Sequence, residues 1–202
     1  MKSLVLFAVC VIAATCLIGN ASAQELRGRL AVTGKLGAEI PAQGEENNPA
    51  GKLIVDTDTG FIGGGGLLYG VDDSLALELE ITRAFIHTST HLGWGTADVK
   101  DLSMGVEYRF PESQRIVPYG AAGADVVITD LDSSNVSAVD TVFGAHLGVG
   151  LDYILTRSFS LTGELRGVEA FNADVKSLTG SKLGEYDPSN VSITVGARFF
   201  FN

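Results

Sequence analysis

The sequence predicts an all-β protein, an eight-stranded antiparallel up-and-down barrel that crosses a membrane. Apolar and polar residues alternate with period two along most of the chain after residue 24, which is the pattern of β-strands. The connections between these segments are alternately long and short. Aromatic residues collect at the ends of the segments, whereas the middles are aliphatic, as expected for strands that meet two membrane interfaces.

Composition agrees with this fold class. The chain has 202 residues and a formal net charge of −10, with 46% hydrophobic and 19% charged residues. This balance excludes an intrinsically disordered chain, and the acidic sum argues against a nucleic-acid partner. The chain has one long apolar run, at the N-terminus, so any membrane contact elsewhere has to be made by strands.

The N-terminal segment, residues 1–23, is predicted to be a secretory signal peptide, and residues 24–202 the barrel domain. Residues 4–18 form the apolar run, and residues 21–23 (Ala-Ser-Ala) match the pattern that signal peptidase cleaves after. The run is short for a membrane anchor, which needs about 20 residues. Both cysteines, Cys10 and Cys16, lie in this segment, so the mature chain is expected to have no disulfide.

Eight segments have the strand pattern, at residues 25–40, 61–71, 75–82, 102–110, 117–129, 145–153, 159–166 and 191–201. Glycine and alanine blur the pattern in the second and fifth segments, so which of their residues face inward stays open. In the other six, the apolar positions are, in chain order, Leu26, Leu30, Val32 and Leu36; Leu77, Leu79 and Ile81; Leu102, Met104 and Val106; Leu147, Val149 and Leu151; Leu161 and Leu165; Ile193 and Val195.

The connections between the predicted strands alternate strictly between long and short. Long ones are predicted at residues 41–56, 87–97, 130–140 and 172–188, and short ones at 71–74, 111–117 and 155–158. Outer-membrane barrels have long extracellular loops, short periplasmic turns and an even number of strands. Because the first connection is long, both termini are expected in the periplasm, and the barrel in the cell outer membrane.

The aromatic positions indicate which face meets lipid. Those near the short turns are Tyr69, Tyr108, Phe110, Tyr119, Tyr153, Phe159, Phe199 and Phe201, and those at the opposite ends are Phe61, Phe85, Phe143 and Phe171. Ten residues separate Phe143 from Tyr153, which at ~3.4 Å per residue and a tilt of ~40° spans about 26 Å, close to the ~25 Å apolar band of such barrels. A soluble barrel gains nothing from rings at its rims, so the apolar face is predicted to meet lipid.

The polar face then lines the lumen. Its half near the short turns has five basic and five acidic residues, which we interpret as a salt-bridge network, because every acid has an arginine at a similar depth. An acid/base pair for catalysis is the weaker alternative. The network is predicted to contain Arg27, Arg29, Arg109, Arg166, Arg198, Glu78, Glu80, Glu107, Asp152 and Glu164. An eight-stranded barrel is filled by side chains or holds one small ligand, so a wide pore is not expected.

The half of the lumen near the long loops has a different character. Small or apolar residues are predicted to face inward there, which suggests a shallow apolar cup above the charges. His146 is expected to face the lumen at the same end, either as a pH-sensitive gate or as an ordinary hydrogen-bonded residue. The candidate ligand-binding residues are Ala84, Ile86, Val142, His146 and Val168, with Gly144 and Ala170 in the same wall.

Four stretches resemble a known family: residues 69–80 (YGVDDSLALELE), 117–125 (VPYGAAGAD), 144–157 (GAHLGVGLDYILTR) and 195–201 (VGARFFF). Their strand–turn–strand rhythm is similar to that of the outer-membrane protein W (OmpW) family and of the related OmpA-like barrels. One departure is Asn202 after Phe201, because such barrels usually end in an aromatic residue that the assembly machinery recognises.

The resemblance implies a function and partners. OmpW-like proteins pass small hydrophobic molecules sideways into the membrane, whereas OmpA-like barrels are mainly structural, and the apolar cup favours the former. The implied partners are outer-membrane lipids and lipopolysaccharide, the barrel-assembly machinery and a small hydrophobic ligand.

Other chemistry is less well supported by the sequence. A lipid-modifying barrel enzyme could use His87 and Ser89, but no positioned carboxylate follows them, so the protein is not expected to be an enzyme. No cofactor or metal is expected, since no histidine cluster has metal-ligand spacing. The acidic pairs, Asp56 with Asp58 and Asp130 with Asp132, are interpreted as solvated loop faces, and His91 and Trp94 as loop residues.

Overall fold

The computed structural model describes residues 26–42, 45–48, 51–54, 56–57, 59–90, 93–110, 115–132, 136–139, 141–177 and 182–201. The predicted signal peptide, residues 1–23, and Asn202 lie outside the described residues. Within these ranges, no helix is long and apolar enough to cross a membrane.

Eight long antiparallel strands form one closed barrel. They are β1 (Leu30–Pro41), β2 (Gly60–Gly70), β3 (Leu75–Thr90), β4 (Gly93–Arg109), β5 (Ile116–Asp132), β6 (Val142–Thr156), β7 (Phe159–Ala170) and β8 (Asn190–Phe201). Each strand pairs with the next in sequence, and β8 returns to β1, where Leu30 lies opposite Phe201 and Pro41 opposite Asn190. The predicted fold class is confirmed.

The two ends of the barrel differ. The turn end has the short connections and the first and last residues of the barrel sheet, whereas the loop end has the long connections. Within these long connections, Val136–Val139, Ala173–Ser177 and Lys182–Tyr186 form a three-stranded sheet, and Glu45–Asn48 pairs with Gly51–Ile54. The two-residue strand Asp56–Thr57 pairs with β3.

The prediction of a long connection at residues 87–97 is wrong. β3 continues to Thr90 and β4 begins at Gly93, so this hairpin extends beyond the apolar part of its strands. The backbone ladder persists to Thr90 opposite Gly93. Backbone pairing does not require an apolar face, and threonine is a good strand former, so a polar segment can prolong a hairpin beyond the level of the membrane.

The apolar face points outward, as predicted for the six clear strands. Ile81 is 62% exposed, Met104 69% and Ile193 60%, although all three are apolar and lie near the middle of their strands. Side chains on the opposite parity, such as Thr82 and Thr194, are buried. In water this arrangement would cost a large hydrophobic penalty, and in a bilayer it is the stable one.

Exposed aromatic side chains lie at both ends of this apolar band. At the turn end they are Tyr69, Tyr108, Tyr153, Phe199 and Phe201, and at the loop end they are Phe61, Phe85, Phe143 and Phe171. The predicted girdle residues Phe110 and Phe159 lie at the turn end but are only half-exposed. The rings of Tyr108 and Phe110 meet edge to face at 4.9 Å between centroids, and those of Phe199 and Phe201 at 5.1 Å.

The start of the barrel differs from the prediction. The strand pattern was continuous from residue 25, but β1 begins at Leu30, and Leu26 is buried instead of facing outward. Gly28 has a φ of 73°, in the left-handed region that glycine adopts without strain, and its N–H donates to the Gly70 carbonyl at 2.8 Å. This turn directs Leu26 inward, where it packs with Ala31, Leu68, Ala76 and Phe200 in what we call the lower apolar cluster.

Candidate functional site: a layered lumen

The structure settles which residues of β2 and β5 face inward. On β2, Ile62 and Leu68 are buried and Leu67 is exposed. On β5, Tyr119 is 2% exposed, so its predicted place in the aromatic girdle is wrong. Its hydroxyl donates to Glu164 Oε2 at 3.0 Å in the lumen. A tyrosine can satisfy a buried carboxylate through its hydroxyl, and that partner was not visible in the local sequence pattern.

The first layer above the lower apolar cluster is the lower charge cluster, formed by Glu107, Arg109, Asp152 and Arg198. Arg109 bridges Glu107 and Asp152, with N–O distances of 2.6 Å to each. Arg198 reaches the same two carboxylates at 3.0 and 3.1 Å. Its Nε also donates to Thr33 Oγ1 at 3.1 Å. Two guanidinium groups thus neutralise two carboxylates that come from different strands.

The next layer is the central charge cluster, formed by Lys35, Glu78, Glu80, Glu164 and Arg166. Lys35 Nζ lies 2.6 Å from Glu80 and 3.2 Å from Glu164. Arg166 lies 3.1 Å from Glu78, 2.7 Å from Glu80 and 2.8 Å from Glu164. This cluster has two cations and three carboxylates. Lys35 was not among the predicted members, although its parity placed it on the polar face of β1.

Two predicted members lie elsewhere. Arg27 is exposed in the turn before β1, so the prediction that it shares the lumen network is wrong. Arg29 is half-buried at the turn end, where its guanidinium carbon lies 5.0 Å from the centre of the Phe200 ring. Its Nη2 donates to the Arg157 carbonyl at 2.7 Å. The turn at Gly28 ends the strand alternation on which both assignments depended.

Inward-facing glycines make room for these large side chains. Gly150 lies opposite Tyr119 on one side and Glu164 on the other. A Cβ atom at Gly150 would overlap the Tyr119 ring, and one at Gly66 would lie 2.7 Å from Glu80 Cγ. The bulky charged residues and the glycines therefore complement each other across the ladder.

We expect Gly150→Ala to lower the free energy of unfolding by ~1–3 kcal/mol, because the added methyl displaces Tyr119 from Glu164. Gly167→Ala is the matched control, since no atom of the described residues lies within 4 Å of the position of its Cβ. Urea-dependent unfolding of the folded barrel in lipid vesicles measures both. Equal stabilities for the two variants would contradict the packing described here.

Toward the loop end, the charge clusters are followed by the acidic layer, formed by Glu39, Asp101, Asp125 and His146. His146 is 2% exposed and Asp125 1% exposed, and His146 Nδ1 lies 2.8 Å from Asp125 Oδ1. In the register, Asp125 lies opposite Ser103 of β4 and Gly144 of β6, two residues from Asp101 and His146 respectively. Asp101, Asp125 and His146 are therefore diagonal neighbours on three adjacent strands.

Above the acidic layer lies the upper apolar cluster, whose buried members are Ile62, Ala84, Val99, Val127, Val142 and Ala173. Two of the predicted ligand-binding residues, Ala84 and Val142, belong to it. Ala170 packs against it, and Val168 is 6% exposed on β7, opposite His146. The structure does not describe the side chain of Ile86. Val127 and Val99 were missed because β5 had no clear parity and residue 99 fell outside the predicted strand.

The remaining candidates from the sequence are not brought together by the described structure. The structure does not describe the side chains of His87, Ser89 and Trp94, nor those of the two acidic pairs, Asp56 with Asp58 and Asp130 with Asp132. His91 lies outside the described residues. In the part of the chain that the structure describes, no group of three or more His, Cys, Asp or Glu side chains is placed to hold a metal ion.

The layers determine what the lumen can do. From the turn end, the lower apolar cluster and the two charge clusters consist of buried side chains in mutual contact. A molecule that enters from the loop end meets an apolar wall first, then carboxylates, then ion pairs.

A closed eight-stranded barrel with an apolar belt, aromatic ends and a charged lumen is an outer-membrane β-barrel protein by class. The sequence profile described as "Outer membrane protein beta-barrel domain" matches residues 7–199, and the chain belongs to this family. The family places the chain in the outer membrane.

Solved structures share the fold at low sequence identity. The outer membrane protein OprG from Pseudomonas aeruginosa aligns with a TM-score of 0.70 and 15% identity, over 90% of this chain and 100% of OprG. Neisserial surface protein A (NspA) aligns with a TM-score of 0.63 and 15% identity, over 86% of this chain and 97% of its own. AlkL, solved in lipid bilayers, aligns with a TM-score of 0.61 and 19% identity, over 92% and 95%. No curated protein sequence matches the chain.

Proposed function

We propose that this barrel binds small hydrophobic molecules at its loop end and passes them across the outer membrane. In this proposal the long loops are extracellular and both termini periplasmic, with residues 1–23 removed on export. Lipopolysaccharide and lipids surround the belt, and the barrel-assembly machinery inserts it. The observation that carries the proposal is the upper apolar cluster, which lies inside the lumen directly above buried charges.

A hydrophobic molecule gains free energy by leaving water for an apolar wall, about 25 cal/mol for each Å² of apolar surface buried. It gains nothing from the layers below, because ion pairs that lose their partners leave uncompensated buried charges. Straight passage to the turn end is therefore unfavourable. Exit sideways between strands, into the membrane, is the remaining route and agrees with the function that the OmpW-like resemblance implies.

A second candidate is a structural or surface-recognition barrel that transports nothing. The observation in its favour is the tight packing of the upper apolar cluster, where Val127 is 1% exposed and Ala173 1% exposed. In that case the cluster is simply the core that supports the loops, and the function lies in the loops themselves.

We expect Val142→Asp to reduce uptake of the neutral hydrophobic fluorophore N-phenyl-1-naphthylamine at least tenfold, because a carboxylate in the upper apolar cluster costs more than ~1.4 kcal/mol of binding. Uptake is followed as the rise of fluorescence in Gram-negative cells that express each variant. Val142→Ala keeps the wall apolar at the same position and should retain most of the uptake.

The heat-dependent gel shift of each variant checks that the barrel has folded. If folded Val142→Asp takes up the fluorophore like the unmodified chain, the transport proposal fails. If deletion of the whole barrel weakens the envelope and does not lower uptake, the structural role is the correct one.

A further inference from the structure

The charges of the lumen do not balance. The described inward-facing carboxylates are Glu39, Glu78, Glu80, Asp101, Glu107, Asp125, Asp152 and Glu164, and the cations in the charge clusters are Lys35, Arg109, Arg166 and Arg198. The sequence had suggested five of each sign. The difference arises because Arg27 is outside the lumen and Arg29 is at its turn-end rim, while Lys35 and three acids on the loop-end side were not counted.

The excess of negative charge is concentrated in one layer. The lower charge cluster has equal numbers of cations and carboxylates, and the central one has a single extra carboxylate. Among its described side chains, the acidic layer has three carboxylates, one histidine and no lysine or arginine. Arg166, in the layer below, is already paired with three carboxylates of its own cluster.

Three buried polar atoms in this layer have no hydrogen-bond partner among the described residues: Asp101 Oδ1, Asp125 Oδ2 and His146 Nε2. The two carboxylate oxygens are acceptors, and the imidazole Nε2 is a third acceptor in the tautomer that donates its Nδ1–H to Asp125. Buried acceptors without partners are costly, and in folded proteins an ordered water, a bound ion or a functional role accounts for them. The diagonal register places these three residues of adjacent strands in one part of the lumen wall.

We infer that the lumen binds an amphipathic cation, with its ammonium group in the acidic layer and its apolar body against the upper apolar cluster. The inference rests on the proposed function and narrows its ligand to hydrophobic amines. An ammonium group offers three N–H donors, enough for the two unpartnered carboxylate oxygens and for the imidazole nitrogen in its accepting tautomer. Its positive charge offsets the local excess of carboxylates. Val127 and Val99 of the upper apolar cluster lie two residues from Asp125 and Asp101 on the loop-end side, where the apolar body would lie.

An organic cation fits better than a metal ion. Calcium takes 6–8 oxygen ligands at 2.3–2.6 Å, and no described group of side chains is placed to hold a metal. An ammonium forms longer bonds, about 2.7–2.9 Å to carboxylate oxygens, in directions that its rotation can adjust. The apolar wall directly above the acids would also have no role in binding a bare ion.

The test compares two probes of equal length, n-octylammonium and 1-octanol, by calorimetric titration of the barrel folded in detergent micelles, with empty micelles as blank. We expect octylammonium to bind at least tenfold more tightly than octanol, because the ammonium forms charge-assisted hydrogen bonds to the carboxylates, which are about twice as strong as those of a neutral hydroxyl. Asp125→Asn should remove most of this preference.

Asp98→Asn is the matched control, because Asp98 lies on β4 like Asp101 but faces outward and pairs with Arg83 at 2.6 Å. It should keep the full preference for octylammonium. Asp101→Asn serves as the second lumen variant if Asp125→Asn does not show the heat-dependent gel shift of a folded barrel.

The outcomes separate this inference from the proposed function. Equal binding of octanol and octylammonium would overturn the cation site and leave the hydrophobic site intact. An unchanged preference in folded Asp125→Asn would also overturn it. If neither probe binds the unmodified barrel, both the cation site and the hydrophobic site are wrong.

Discussion

Replacement of Arg198 by alanine is expected to cost ~3–5 kcal/mol of unfolding free energy, because it removes one partner of a buried ionic network. Arg198 is 1% exposed and contacts Glu107 through two nitrogens, at 3.0 Å each, and Asp152 at 3.1 Å. Its guanidinium carbon also lies 5.3 Å from the centre of the Tyr119 ring. Without it, Arg109 alone faces two buried carboxylates.

The measurement is urea-dependent unfolding of the barrel in phospholipid vesicles, followed by circular dichroism. Arg83→Ala is the matched control, because Arg83 forms a shorter ion pair with Asp98, at 2.6 Å, but its side chain is 52% exposed. Exposed pairs are worth about 0–1 kcal/mol. A loss at Arg198 no larger than the loss at Arg83 would contradict the role assigned to the lower charge cluster.

Substitution of Met104 by arginine is expected to destabilise the barrel by ~2–4 kcal/mol, the cost of a cation on the lipid face near the middle of a bilayer. Met104 is 69% exposed on β4, about midway between Tyr108 at the turn end and Asp98 at the loop end. In the strand ladder, Asp98 lies opposite Phe85 of the aromatic girdle. No lumen contact is lost, so the effect isolates the cost of placing charge in lipid.

Ile116→Arg is the control for depth. Ile116 is 47% exposed at the turn end of β5, opposite Tyr153 of the aromatic girdle. There the same charge should cost about 0–1 kcal/mol, because it reaches the interface. The same vesicle assay compares the two, and a cost at Met104 that does not exceed the cost at Ile116 would contradict a membrane boundary at the two aromatic ends.

The sequence predicted the lipid face at Met104 and the lower charge cluster to different degrees. The lipid face at Met104 follows from period-two alternation, since one parity of each strand shares one environment. The lower charge cluster follows only in part: parity placed Arg198 and Glu107 in the lumen, but which acid meets which base depends on strand register. The register depends on how the strands of the closed barrel pair, and the local sequence pattern does not show it.

The places where prediction failed have local causes. Alternation holds only while the backbone stays extended, so the turn at Gly28 moved Leu26 inward and left Arg27 exposed. Glycine and alanine carry little hydrophobic signal, so β5 had no clear inward side, and Tyr119 was assigned to the girdle from its position near a turn. Its buried hydrogen bond to Glu164 passes over Gly150 of β6, so it depends on the register of three adjacent strands.

By itself, the sequence determined the fold class, the number of strands, the outward face of six strands and the charged character of the lumen. These depend on period-two alternation and on turn residues, which act over a few neighbouring positions. Only the tertiary structure decided the partners of the buried charges, the composition of the upper apolar cluster and the excess of acids around His146. Closure of the sheet brings together residues far apart in the chain, such as Glu107 and Arg198, and only there do their charges, volumes and unpartnered atoms combine into a site.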